Sequence, residues 1–140
     1  MNEHDQKMPR TVELASSLLW FSAAIALLHI IAARLDWLPY RTSEDSVIPN
    51  LISTAFIALC AAQIRAGRNW ARWLALVAIA LGSGVYVVAI LFLRQGIRSL
   101  PAFLLYVASV QFLLQVASVV LAFVPRSNGW FRATASQDTV

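Results

Sequence analysis

The sequence predicts an all-α fold, a transmembrane four-helix bundle with both termini cytoplasmic. Three observations lead there: four long apolar runs, too few charges to clothe a soluble surface, and arginines gathered at the ends of the runs. Of 140 residues, 59% are hydrophobic and 13% charged, with a mean hydropathy of +0.68. Soluble domains carry about a quarter charged residues. Hydrocarbon as the outer solvent removes the shortage of polar side chains, and the length leaves room for a single membrane domain.

The spans are expected at about residues 13–35, 47–65, 70–94 and 100–124, between polar tails at 1–11 and 133–140. Each is close to the roughly 20 residues that a helix of 1.5 Å rise needs to cross about 30 Å of hydrocarbon. The first run exceeds the roughly 7–15 residues of a signal-peptide core and has an acidic flank, so it reads as a retained span. Apolar–polar alternation over about ten residues is lacking, which excludes a membrane β-barrel. The connections fit: 36–46 is polar and contains Pro39, 65–69 is a tight hairpin with Gly67 suited to a left-handed turn, and Gln95–Ser99 closes the third run. Pro101 suits the first turn of the fourth helix, Pro125 ends it, and an irregular tail is expected after Arg132.

The net charge of +4 is distributed for a membrane and not for nucleic acid, which is not an expected partner. With the N-terminus inside, the cytoplasmic side holds seven basic residues (Lys7, Arg10, Arg65, Arg68, Arg72, Arg126, Arg132) and the other side four (Arg34, Arg41, Arg94, Arg98). That bias sets the orientation. Arg65, Arg68, Trp70, Arg72, Trp73, Arg126 and Trp130 are then expected at the cytoplasmic interface, against lipid headgroups.

Helices in lipid associate through small residues and hydrogen bonds, since the tails are as apolar as leucine. Candidate packing stripes are Ala15, Ser22, Ala26, His29 and Ala33 in the first run, and Thr54, Ala58 and Ala62 in the second. The third has Ala71, Ala75, Ala78, Gly82 and Ala89, and the fourth Ala108, Gln111, Gln115, Ser118 and Ala122. Counting 1.5 Å per residue places His29, Thr54, Tyr86 and Gln111 at similar depth, with Gln115 one turn from Gln111. These five form a candidate buried polar cluster, read either as hydrogen-bonded glue between helices or as a ligand or ion site.

Catalytic chemistry is not expected. The single cysteine, Cys60, forms no redox pair, and His4 and His29 cannot both ligate one haem from facing spans of one chain. A metal site lacks ligands, and no serine sits in a nucleophile elbow. Glu13 stands at a helix start, where a carboxylate favours the dipole, rather than within the span as in small multidrug-resistance transporters.

Two segments carry a resemblance. Gly67-Arg68-Asn69-Trp70-Ala71-Arg72 resembles the hairpin of many small four-span bacterial inner-membrane proteins, and Pro125-Arg126-Ser127-Asn128-Gly129-Trp130-Phe131 is similar to their C-terminal ending. The resemblance implies a multi-pass inner-membrane location and no activity. The expected role is a non-enzymatic membrane interaction or accessory protein without a cofactor. Its partners would be the lipid bilayer and a membrane protein or second copy. The alternative is an oligomeric small-molecule or ion transporter or channel with a polar pathway near His29.

Overall fold

The computed structural model describes residues 8–38, 44–94 and 102–137, and all secondary structure among them is helical. The helices are α1 (Arg10–Arg34), α2 (Glu44–Arg65), α3 (Asn69–Arg94), α4 (Ala102–Phe123) and α5 (Pro125–Gln137). Three stretches are long and apolar enough to cross a membrane, Arg10–Arg34, Val47–Arg65 and Phe103–Phe123, and an 18-residue segment within each has a mean hydropathy of 2.0, 1.8 and 2.0 respectively. α3 is 26 residues long. Most of the loop before α2, the 95–99 connection and Pro101 lie outside the described residues.

Helix ends follow from local chemistry. Pro9 precedes α1 in extended backbone (ψ 142°), and its carbonyl accepts from the amides of Val12 and Glu13. A proline there sacrifices no helical bond. α2 ends in a Schellman turn: Gly67 sits at φ +78°, its amide donates to Ile64 O, and the Arg68 amide reaches back to Gln63 O. α1 ends similarly on Asp36 (φ 54°), with the Trp37 amide on Ala32 O.

The tail expected to be irregular after Arg132 is instead helical to Gln137. That segment continues α5, whose composition is polar but one side of which carries Ser127 and Phe131, four residues apart and both fully buried. Packing overrides composition here, as it usually does for short helices.

α1 packs against α2 and α4, α3 completes the ring by touching α2 and α4, and α5 lies against α4, α1 and α3. The core is not central. Val12 and Leu19 of α1, Cys60, Ala61 and Ile64 of α2, Ala71 and Ala75 of α3, and Phe131 of α5 form one buried cluster. All come from the end of the bundle that holds the α2–α3 turn. There two serine hydroxyls cross between helices: Ser16 Oγ donates to Ala61 O at 3.0 Å and Ser118 Oγ to Ala15 O at 2.7 Å.

The expected stripes of α1 and α4 face neighbours: Ala15, Ser22, Ala33, Ser118 and Ala122 are buried. That of α2 is displaced. Cys60, Ala61 and Ile64 are buried whereas Ala62 is exposed, because Ala61 is the residue that meets Ser16. On α3, Ala71 and Ala75 are buried but Gly82 is exposed. α3 therefore packs closely only near its start.

The two described glycines nearest α5's packing should respond oppositely to alanine. At Gly67 a Cβ would stand 2.8 Å from Thr134 Cγ2 and 3.2 Å from the Trp130 ring, on top of the left-handed backbone. Gly67→Ala should destabilise by about 1–3 kcal/mol. At Gly129 nothing lies within 4 Å, and Gly129→Ala in a helix should stabilise by about 0.5–1 kcal/mol. Thermal unfolding in detergent reads both. Equal shifts would contradict the packing of α5 on the turn.

Candidate functional site

Beyond the packed end, α1, α2 and α4 diverge around a cavity of about 260 Å³. His29, Thr54, Gln111 and Gln115 all line it, joined by Asn50 and Ser53. Tyr86 belongs to α3, and its side chain lies outside the described residues. The cavity walls are otherwise apolar, including Ala26, Ile30, Ile57, Leu104 and Ala108.

The glutamines, Ser53 and Thr54 are held by hydrogen bonds to neighbouring groups. Gln115 Nε2 donates to Ser22 Oγ at 2.9 Å and Gln111 Nε2 to Ser22 O at 3.2 Å, so one residue of α1 anchors both glutamines of α4. An amide carries two N–H groups and a carbonyl oxygen, which leaves each glutamine further hydrogen-bonding capacity. Ser53 Oγ donates to Pro49 O at 2.9 Å and Thr54 Oγ1 to Asn50 O at 2.8 Å. Their protons are committed, so towards the cavity these hydroxyls act as acceptors. Pro49, inside α2, has no amide to give the carbonyl of residue 45, which leaves that acceptor without its helical bond.

The described lining thus offers amides, hydroxyls and one imidazole, with no carboxylate, lysine or arginine. Among the described residues no three of His, Cys, Asp or Glu gather into a metal-holding group. Such a lining suits water or a neutral oxygen-bearing group.

The residues expected at the cytoplasmic interface divide. Arg65, Arg68, Trp70, Trp73 and Arg126 are exposed, and Trp130 is half-buried with its ring edge-on to Phe131 at 5.0 Å. Arg72 departs from expectation, being only 7% exposed. Its guanidinium lies between the rings of Phe123 and Phe131, 4.9 and 4.8 Å from their centroids. Nη1 donates to Asn128 Oδ1 and, at 3.5 Å, to Ala122 O, while Nε has no hydrogen-bond partner among the described residues.

The reason is the end of α4. A helix terminus leaves its last carbonyls without amides, and Pro125 has none to supply. Each of the last three is met by a side chain: Leu121 O by Ser127 Oγ at 2.8 Å, Ala122 O by Arg72, and Phe123 O by Asn128 Nδ2 at 3.0 Å. Ser127 Oγ, its proton spent on Leu121, then accepts from Thr11 Oγ1 at 2.8 Å, which ties in the start of α1. The two short motifs of the sequence therefore meet in space, Arg72 from one against Asn128 and Phe131 from the other.

Asn50, Ser53 and Asn128 are not foreseen at these sites. For Asn50 and Ser53 a signal existed, two polar residues beside Pro49 just inside an apolar run. For Asn128 none did, because its role depends on where α5 folds. No protein-family model, curated protein or solved structure matches the chain.

Serine hydroxyls that cross between helices should matter, and those that bond their own helix should not. Ser118→Ala, which removes the α1–α4 hydrogen bond to Ala15 O, should cost about 1 kcal/mol in unfolding by SDS titration. Ser17→Ala, whose hydroxyl bonds Glu13 O one turn back, should change stability by less than about 0.5 kcal/mol. The reverse order would contradict the α1–α4 packing.

Proposed function

We propose that the chain is a four-span inner-membrane bundle with both termini cytoplasmic, and that it acts by binding rather than by catalysis. Its contacts are lipid and either another membrane protein or a second copy of itself. The observation that carries this reading is uncovered apolar surface on long helices. In the most apolar stretch of α4 only 6% of residues are buried within the chain, and in that of α2 only 17%. Phe21, Leu28, Leu81, Tyr106 and Leu113 are each at least 65% exposed. Water does not tolerate a contiguous surface of that kind, whereas lipid or a partner helix does.

α3 supplies the fourth crossing, since Trp70–Arg94 is as apolar in sequence as the other spans. The start of α1, the α2–α3 turn and α5 share one end of the bundle. That end carries Arg10, Arg65, Arg68, Arg126 and Arg132, which supports placing it in the cytoplasm. The likeness of the hairpin and the C-terminal ending to those of small bacterial inner-membrane proteins agrees with this location.

A second reading, an oligomeric transporter or channel, is favoured by a different observation. A further space of about 360 Å³ lies between α2 and α3, and it shares Ser53, Ile57 and Gln115 with the polar cavity. Those three side chains would then stand between two halves of a path through the bundle.

Orientation is tested by thiol labelling in a Cys60→Ala background. Arg68→Cys and Arg126→Cys should react with an impermeant maleimide only after the membrane is opened, and Asp36→Cys in intact cells. The opposite pattern would invert the topology. For the two functional readings the discriminating measurement is flux in proteoliposomes at several pH values. Binding alone predicts no flux above empty vesicles. Flux that His29→Ala and Gln111→Ala both abolish would replace it with transport.

A further inference from the structure

A groove of about 240 Å³ runs between α1 and α4 beside the polar cavity. Ile25, Leu28, Ala32, Phe103 and Val107 form its walls, and the described lining outside His29 is entirely apolar. His29 and Val107 also line the polar cavity, so the two spaces meet at those side chains. Leu28 is 65% exposed and Phe103 49% exposed, so the groove opens sideways, on the surface that the membrane reading gives to lipid.

We propose that the two adjoining spaces together form a binding site for an uncharged amphiphile. A head bearing carbonyl or hydroxyl oxygens occupies the polar cavity, and one hydrocarbon chain occupies the groove. This rests on the membrane reading, because the ligand enters between α1 and α4 from the bilayer. Quinones with an alkyl tail and neutral acylglycerols share this chemistry.

The lining selects each part. Amides of Asn50, Gln111 and Gln115 donate to oxygens of the head, and the Ser53 and Thr54 hydroxyls accept from any head O–H. A charged head would be desolvated against a described lining that holds no opposite charge, at prohibitive cost. The chain gains little by leaving lipid for the groove, since both are hydrocarbon. Its length matches about 10 Å of helix from Ile25 to Ala32 at 1.5 Å per residue. Affinity therefore resides in the head, whose hydrogen bonds the bilayer interior cannot offer.

The test is equilibrium binding to the full chain in phosphatidylcholine nanodiscs, with empty nanodiscs subtracted. The probes are tritiated decylubiquinone and tritiated 1,2-dioctanoylglycerol, and the competitors are dodecane and decanoate. The expected result is saturable binding of at least one probe, displaced by neither competitor. Binding of one probe alone identifies which of the two sources the head resembles. Gln111→Leu combined with Asn50→Leu should weaken binding about tenfold, and Val107→Trp, at the junction, should abolish it. Leu113→Ala, on an exposed face, should leave it unchanged. Elution profile and circular dichroism verify folding, and if Val107→Trp fails to fold, the leucine pair decides.

No saturable binding of either probe would overturn the proposal, as would displacement by dodecane or decanoate, or undiminished binding by the folded leucine pair. A separate measurement isolates the membrane reading. Loss of the chain from membranes on alkaline carbonate extraction would refute that reading, whereas retention without probe binding would refute the ligand alone.

Discussion

An arginine with no place among water or headgroups holds one end of this bundle together. α4 stops because Pro125 cannot continue its hydrogen-bond ladder, and three carbonyls are left facing a low-dielectric interior. Ser127, Arg72 and Asn128 take them one each. Burying a guanidinium costs several kcal/mol unless its charge and donors are met. Here the charge is spread over a backbone carbonyl, an amide oxygen and the faces of Phe123 and Phe131. Delocalised charge matters, because a lysine would offer one compact point charge in place of a guanidinium that meets two rings and two acceptors at once.

The consequences spread along the fold. With Arg72 drawn under α5, Phe131 enters the core, Ser127 reaches Thr11 of α1, and Trp130 and Thr134 close over Gly67. Four separate segments are fastened at that end, so the other end need not be tightly packed. Most fully buried side chains lie on the fastened side, and the cavities lie towards the opposite side. Low packing density is where binding sites are affordable, since a filled core has no room for a ligand. Close packing and open space are thereby separated along the bundle axis.

Much of this was legible in sequence. Long apolar runs report helices long enough to cross a membrane, because length and hydropathy are both read from the residues themselves. The inward faces of α1 and α4 were legible too, since Ser22, Gln111, Gln115 and Ser118 are polar residues whose only favourable place in hydrocarbon is against another helix. The face of α2 was not, because alanines surround it on several sides and only Ser16 of α1 selects Ala61. Arg72 read as a headgroup ligand because its hydrogen-bond partners lie 50 and 56 residues away. α5 was hidden by its own polarity, since what makes it a helix is the burial of two residues against other segments.

The most direct test is a double-mutant cycle on Arg72→Met and Asn128→Leu, read by unfolding in mixed detergent micelles. If the lock operates as described, each single change destabilises by about 2–4 kcal/mol, because each strands the other's polar atoms. The pair together should then cost less than the sum by at least about 1 kcal/mol. Additive losses, or single changes within about 0.5 kcal/mol of the natural chain, would show that the arginine does not hold this end of the bundle.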